Sequence, residues 1–213
     1  MKVIDLTHTI KENMPVFPGT EPPKLAPAST FETDGFRETL LTMFSHTGTH
    51  MDAPAHVRED GITLDKFPAD KFVGKAIVID CSDLSEGDII DISYIDKYKG
   101  MIEYADFVLF KTNWDKYWDT PKYFDKFPVI SEEVADYLIK TNKKGIGLDV
   151  ISIESIDSED LPIHHKVLKN NLAIIENLCN LDQIDSQLFT FCALPLKFLN
   201  SDGASVRAVA IID

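Results

Sequence analysis

The segment from residue 46 to residue 56 constrains this chain more than any other part of its sequence. Three of the six histidines, His46, His50 and His56, fall within these eleven residues, and Asp52 lies among them. Imidazole and carboxylate groups clustered in this way are typical of a divalent metal site. A fully extended strand would hold His46 and His50 roughly 13 Å apart at about 3.3 Å per residue, too far to meet on one ion. The chain must therefore bend between them.

The residues between the histidines indicate how the chain bends. Gly48 allows a sharp turn, because glycine adopts backbone conformations that are costly for other residues. Thr47, Thr49 and Pro54 disfavour a helix that would place ligands four residues apart. We therefore predict that the metal-binding segment is a tight loop that leaves a strand over residues 40–44. The alternative is that these histidines are hydrogen-bonded loop residues or bind a structural ion.

Composition and length exclude several classes of protein. The 213 residues are enough for one large domain, and we expect a single domain over residues 1–213. A formal net charge of −14 would repel nucleic acid. No apolar run approaches the roughly 18 residues that a membrane span needs, and the first residues do not resemble a signal peptide, so we expect a cytoplasmic protein with no membrane partner. The three scattered cysteines predict reduced thiols.

Short apolar runs dominate the rest of the chain. They predict strands over residues 3–6, 75–80, 107–111, 146–148, 173–175, 189–192 and 206–211. Ser131 is a plausible start for a helix that reaches Thr141. Residues 13–27 contain five prolines and predict an irregular, extended loop. The pattern indicates an α/β or mixed α+β fold with a strongly curved mixed sheet.

The segment His46-Thr47-Gly48-Thr49-His50-Met51-Asp52-Ala53-Pro54-Ala55-His56 has the form His-x-Gly-Thr-His-x-Asp-x-Pro-x-His. On this motif the chain resembles the cyclase-like family of metal-dependent hydrolases, which includes bacterial kynurenine formamidases and isatin hydrolases. Weaker matches follow at Phe17-Pro18-Gly19, Thr112-Asn113-Trp114 and Gly147-Leu148-Asp149. The resemblance implies a barrel-like sheet with flanking helices, of the swivelling β/β/α type, and a homo-oligomer that is a dimer or a tetramer.

The resemblance also implies a set of site residues. It predicts a binuclear Zn²⁺ or Mn²⁺ site with five ligands, namely His46, His50, Asp52, His164 and Glu176. Asp52 would bridge the two ions, and His56 would be the catalytic proton-transfer residue. We expect a short helix after Pro162 and Glu176 at the end of a strand. His165, next to the predicted ligand, is expected at the surface.

The implied activity is hydrolysis of a carbon–nitrogen (amide) bond in a small molecule, by a metal-bound hydroxide with His56 moving the proton. An arylformamide such as N-formylkynurenine is the implied substrate. The formamidases usually carry Trp before the Pro-Gly pair, where this chain has Phe17, our candidate substrate-binding residue. A cyclic amide or a lactone is an alternative substrate. A dioxygenase, lyase or isomerase on the same ligands, or a non-catalytic metal-binding protein, are the alternative classes.

Four further residues have two interpretations each. Asp149 ends an apolar run and is either a carboxylate near the site or a turn-forming residue. Asp60 precedes Gly61 and is better explained as a turn residue than as a ligand. We expect His8 to be a buried, hydrogen-bonded imidazole. Trp114 and its aromatic neighbours would either line a pocket or pack in the core.

Overall fold

The computed structural model describes residues 1–212 of the chain. Its strands are β1 (Lys2–Asp5), β2 (Lys24–Ser29), β3 (Glu38–Thr42), β4 (His50–Asp52), β5 (Val73–Asp80), β6 (Ile89–Ile90), β7 (Phe107–Lys111), β8 (Val129–Ile130), β9 (Gly145–Leu148), β10 (Ala173–Glu176), β11 (Phe189–Pro195) and β12 (Gly203–Ile212). Its α-helices are α1 (Phe31–Asp34), α2 (Ile92–Asp96), α3 (Lys99–Ile102), α4 (Glu132–Lys140) and α5 (Pro162–Lys169). Short 3-10 turns, one of them Pro54–His56, connect several of these elements.

The main sheet closes on itself. Seven strands follow one another in the order β12, β11, β5, β7, β9, β10 and β4, and β4 then pairs back onto β12. Strands β5, β7, β9 and β10 run parallel, whereas β4, β11 and β12 pair in antiparallel fashion with their neighbours. Strand β1 joins β12 as an eighth strand outside the ring. The predicted barrel-like mixed sheet is confirmed.

The strands carry apolar side chains on both faces, because both faces of the sheet are covered. In β7, Phe107 and Leu109 belong to a cluster that includes residues from β4, β11 and β12, and this cluster fills the inside of the ring. Val108 and Phe110 point the opposite way and pack with residues of α2 to α5. The helices therefore cover the outer face of the parallel strands.

Most predicted elements are confirmed, with bounds that differ by a few residues. Helix α4 begins after Ser131, whose side chain accepts a hydrogen bond from the Val134 N–H at 3.2 Å. Helix α5 begins with Pro162, and Glu176 ends β10, as expected. Within residues 1–212, no helix combines the length and the apolar character that crossing a bilayer requires.

The N-terminal hairpin differs from the sequence prediction. Residues 24–27, predicted as part of an irregular loop, belong to β2, which pairs with β3 in a separate two-stranded sheet. Pro27 lies beside a register shift between Pro27 and Ser29, an irregularity of the kind at which a sheet tolerates proline. The predicted strand over residues 40–44 overlaps β3, which ends at Thr42, and every residue of β3 is exposed. The hairpin thus stands apart from the ring.

Candidate metal centre

The bend predicted at Gly48 is present, and it leads into a strand. Gly48 has φ of 66°, in the left-handed region that favours glycine. The prediction of a loop for the whole segment is wrong in one respect, because His50–Asp52 form β4, paired with both β10 and β12. Met51 packs inside the ring. His50 and Asp52, one residue to either side, therefore face the outer side of the sheet.

Two further predicted ligands arrive from β10 and α5. Glu176 is paired with His50 across β4 and β10, and its Oε2 lies 3.4 Å from His50 Nε2. His164, in the first turn of α5, places its Nε2 3.4 Å from Glu176 Oε1 and 3.8 Å from Asp52 Oδ2. The contact between α5 and the end of β10 thus brings together groups that lie more than a hundred residues apart in sequence.

The five predicted ligands form two groups that share Asp52. His46, His50 and Asp52 have ligand atoms within 4.8 Å of one another, and so do Asp52, His164 and Glu176. Each group could hold a metal ion. A third group with the same spacing consists of His46, His56 and Asp202. The structure therefore brings all of the predicted ligands and His56 into one cluster.

Two of the imidazoles are held by a hydrogen bond at Nδ1. His50 donates from Nδ1 to the Gly48 carbonyl at 2.8 Å, and His164 donates from Nδ1 to Glu154 Oε1 at 2.6 Å. Because a carbonyl only accepts, the Nδ1 of His50 must carry a hydrogen, and its Nε2 then offers the lone pair that binds a metal ion. Both Nε2 atoms lie beside the buried carboxylates of Asp52 and Glu176.

His46 is held differently, because both of its nitrogens contact carboxylates. Nδ1 lies 2.7 Å from Asp52 Oδ1, and Nε2 lies 3.1 Å from Asp202 Oδ2. Burial alone would lower the pKa of His46, but these two carboxylates outweigh it and raise the pKa to about 10. The hydrogen bond from His46 in turn lowers the pKa of Asp202 to about 2. Without a metal ion, His46 is therefore an imidazolium clamped between two carboxylates.

The buried groups show the same excess of negative charge. Burial opposes a charge on His164, yet hydrogen bonds to Glu154 and Glu176 raise its pKa to about 10. Burial also opposes a charge on Asp52, but the neighbouring His46 and His50 hold its pKa well below the usual range. Asp52 Oδ2 is buried and has no hydrogen-bond partner among the described residues. A carboxylate oxygen left this way needs a cation, so the residues fit a divalent metal ion.

His56 lies at the edge of this cluster. It ends the 3-10 turn Pro54–His56, and its ring centroid is 4.0 Å from that of His46 and 6.0 Å from that of His164. Burial lowers the pKa of His56, and the charge of Asp52 only partly offsets this effect. This lowered pKa leaves the ring neutral near pH 7. Because His56 is only half-buried, its ring is within reach of a small molecule at the site.

Comparison with known proteins identifies the family of this chain. A family model described as "Putative cyclase" matches residues 4–155, which is more than half of the chain. The chain belongs to the cyclase family. The family resemblance that the histidine motif indicated is thereby confirmed.

Cyclase-family relatives align along almost the whole chain. It is 30% identical over 207 residues to a kynurenine formamidase of Bacillus cytotoxicus, covering 97% of this chain and 95% of the relative. It is 31% identical over 212 residues to a kynurenine formamidase of Erythrobacter litoralis, covering 98% and 93%. Isatin hydrolase A from Labrenzia aggregata, solved with bound benzyl benzoate, superposes with a TM-score of 0.89 at 26% identity, covering 99% of this chain and 93% of that one.

An aromatic pair lies next to the metal-binding segment of this cyclase-family chain. The rings of His8 and Trp118 are stacked, with centroids 3.8 Å apart and an interplanar angle of 7°. The His8 N–H donates to Thr49 Oγ1 at 2.9 Å, which fixes the pair beside the segment. Burial lowers the pKa of His8 to about 4, and its buried Nε2 has no partner among residues 1–212, contrary to the hydrogen-bonded imidazole that we expected.

Other candidate residues lie outside the cluster. Asp149 is buried and accepts hydrogen bonds from the Thr112 N–H and hydroxyl and the Asn113 N–H, so it braces a turn. Asp60 pairs with Arg58 on an exposed turn, and His165 is exposed, as expected for both. Phe17 is 39% exposed, and its carbonyl closes a turn with Thr20. Its part in substrate binding stays a prediction.

Sequence reasoning missed Glu154 and Asp202, two carboxylates that contact predicted ligands. Glu154 is buried against His164, and Asp202 stands beside His46. Neither belongs to the histidine motif. The available signals were slight: Glu154 lies ten residues before His164, and Asp202 directly precedes the glycine that begins β12. Such positions identify a turn as readily as a site.

Proposed function

We propose that this protein is a metal-dependent amide hydrolase that cleaves the carbon–nitrogen bond of an arylformamide such as N-formylkynurenine. The observation that supports this most is the meeting of three imidazoles and two buried carboxylates in two groups around Asp52, with half-buried His56 at their edge. The kynurenine formamidases that align over nearly the full chain support the same activity. They favour hydrolysis over the dioxygenase, lyase and isomerase alternatives.

Five residues would hold the metal. His46, His50 and Asp52 would bind one ion, and Asp52, His164 and Glu176 a second, with Asp52 shared. A divalent ion at this place supplies Lewis-acid polarisation of a substrate carbonyl and makes water more acidic. Imidazole and carboxylate ligands without thiolate suit Zn²⁺ or Mn²⁺. The shared Asp52 supports a binuclear site.

His56 would move the proton that the reaction requires. Its side chain makes no hydrogen bond to another group within the described residues, so both ring nitrogens are free for water or substrate. Burial keeps the ring neutral, which lets it accept a proton from water and then deliver it to the leaving nitrogen. Amide hydrolysis needs both transfers, because an amide nitrogen leaves only after it is protonated.

The aromatic pair supports an aryl substrate. The stacked rings of His8 and Trp118 are tied to Thr49, one residue before the ligand His50. A flat aromatic surface beside the metal-binding segment suits an aromatic ring by stacking. Phe17 would add a second apolar contact from the loop before the hairpin.

The exposed hairpin supports a homo-oligomer, which we propose is a dimer or a tetramer in the cytoplasm. Leu40 and Leu41 in β3 and Phe44 after it are 60%, 45% and 54% exposed. Apolar side chains grouped on one protruding element mark a protein interface. The loop over residues 13–23 and the hairpin would then reach a neighbouring subunit.

The first test is hydrolysis of N-formylkynurenine by protein that has been stripped of metal and reloaded with zinc or with manganese. Reloading should restore turnover. The His56→Ala variant should turn over about 10²- to 10⁴-fold more slowly than the wild type, as expected for the loss of a proton-transfer group, while it retains its metal. Formation of kynurenine is followed by absorbance, and metal content by elemental analysis.

His165→Ala is the matched control, since His165 is exposed and adjoins a predicted ligand in the same helix. It should keep full activity. Metal-loaded protein that leaves N-formylkynurenine intact would refute the arylformamide proposal. Full activity in the His56→Ala variant would refute the role of His56.

A further inference from the structure

Glu154 is a buried carboxylate on the segment between β9 and α5. Its side chain is 6% exposed, and the described residues place no Lys or Arg side chain in contact with it. A charged group buried in this way is costly unless hydrogen bonds compensate it. Its partners therefore show why it is there.

Four donors converge on the two oxygens of Glu154. Oε1 accepts from the His164 N–H at 3.0 Å and from His164 Nδ1 at 2.6 Å. Oε2 accepts from the Ile163 N–H and from the Ser158 hydroxyl, each at 3.2 Å. An ionised carboxylate accepts at both oxygens, whereas an amide would turn an NH₂ group toward one of these donors. The surroundings therefore require a carboxylate at this position.

The contact with Nδ1 fixes the direction of the imidazole. With Nδ1 bound to Glu154, Nε2 of His164 is turned toward Asp52 and Glu176. The same carboxylate holds the first N–H groups of α5, so the helix end and the ring are fixed together. Rotation of the ring would break its shortest hydrogen bond.

We infer that Glu154 is a positioning residue that sets the orientation of His164 and thereby the affinity of the metal group formed by Asp52, His164 and Glu176. This inference rests on the proposed metal-dependent function. Carboxylates that hold a metal-binding histidine by its other nitrogen typically contribute about 10- to 100-fold in metal affinity. The group formed by His46, His50 and Asp52 does not use this contact, because His50 is held by the Gly48 carbonyl. The effect is therefore confined to one of the two groups.

The experiment is a calorimetric titration of metal-free protein with Mn²⁺, carried out on the wild type, Glu154→Gln and Glu159→Gln. Glu159 is an exposed glutamate on the same segment, so its variant is the matched control. Glu154→Gln should bind one ion with wild-type affinity and the other about 10- to 100-fold more weakly. Glu159→Gln should match the wild type. Electron paramagnetic resonance should show a coupled Mn²⁺ pair in the wild type and the control, and isolated Mn²⁺ in Glu154→Gln.

The outcomes separate this inference from the function on which it rests. A wild type that binds neither Mn²⁺ nor Zn²⁺ would overturn both. A Glu154→Gln variant that binds metal as tightly as the wild type would overturn the inference and leave the function standing. If the wild type binds a single ion, the same comparison applies to that ion.

A second measurement uses only the wild type, in case Glu154→Gln does not fold. Nitrogen NMR of histidine-labelled, zinc-loaded protein distinguishes a protonated ring nitrogen from a metal-bound one. His164 should be protonated at Nδ1 and metal-bound at Nε2. Zinc bound to Nδ1, or no zinc bound to His164, would overturn the inference.

Discussion

The two sides of the site differ in how firmly their side chains are held. The buried part of the site, which we call its inner side, consists of Asp52, His164 and Glu176, whose side chains are at most 6% exposed. On the more exposed part, which we call its outer side, His46 is 21% and Asp202 43% exposed, and His56 is half-buried. The inner imidazole has one nitrogen fixed by Glu154, whereas the outer His56 has neither nitrogen bound within residues 1–212.

This contrast separates holding a cation from moving a proton. Buried carboxylates need permanent partners, so the inner side is arranged before any ligand arrives. A proton-transfer group must exchange partners during a reaction, and a half-exposed ring with free nitrogens permits this exchange. Asp52 belongs to both sides, because it contacts His46 on one and lies beside His164 on the other.

The largest effect is expected from Asp52→Asn, which alters the residue that both metal groups share. Both ions should be lost, and turnover should fall by about 10⁴-fold or more, since the Lewis-acid contribution amounts to several kcal/mol. Elemental analysis and a rate assay check this outcome, with the exposed turn residue Asp60 changed to Asn as control. Full metal content in Asp52→Asn would show that the two sides do not depend on Asp52.

The pH dependence of metal binding tests the two sides together. In the metal-free protein, the pKa values of His46 on the outer side and His164 on the inner side are both raised to about 10. Both rings are therefore imidazolium ions at neutral pH, and a metal ion must displace one proton from each ring that it binds. The apparent affinity for each ion should therefore rise about tenfold per pH unit below pH 10, and the overall constant for binding both ions about 100-fold.

Calorimetry in buffers of different ionisation enthalpy counts these protons. About two should be released below pH 10, one for each of the two histidines. Release of a single proton would show that only one side binds metal through a histidine that was protonated. Affinity that does not change with pH would contradict the prediction.

The smallest effect is expected from Gly203→Ala, whose added Cβ would meet His46 on the outer side. A Cβ atom at Gly203 would overlap the imidazole ring of His46. The ring must move, so the group with His46 should lose about tenfold in metal affinity while the inner group keeps its own. Gly100→Ala is the control, because a Cβ there meets nothing within 4 Å. Equal weakening of both ions would mean that the two sides are coupled.

The sequence was most informative where chemistry or hydrophobicity is local. The buried strands β5 and β7 follow apolar runs, and the motif from His46 to His56 contains all three residues of one metal group. The prediction of His164 and Glu176 as metal ligands came from the family resemblance. Their contact with Asp52 depends on how α5 packs against β10. Local patterns do not specify that packing.

The features that the sequence did not predict depend on tertiary contacts in the same way. Glu154 and Asp202 are single carboxylates outside the histidine motif, and only tertiary contacts with His164 and His46 distinguish them as part of the site. The hairpin strand β2 was missed because prolines argue against strands, although an edge strand with a register shift tolerates Pro27. Whether the chain forms one domain stays a prediction.

The pairing of β4 links metal acquisition to the order in which the chain is synthesised. His50 pairs with Glu176 on one side and with Ser205 on the other, and Asp52 pairs with Gly203. All five proposed ligands leave the ribosome before the β12 residues that pair with β4 and close the ring. A nascent chain that ends before Gly203 carries every ligand but leaves one edge of β4 unpaired. Tight metal uptake should therefore follow the emergence of β12, and retained metal should report that the ring has closed.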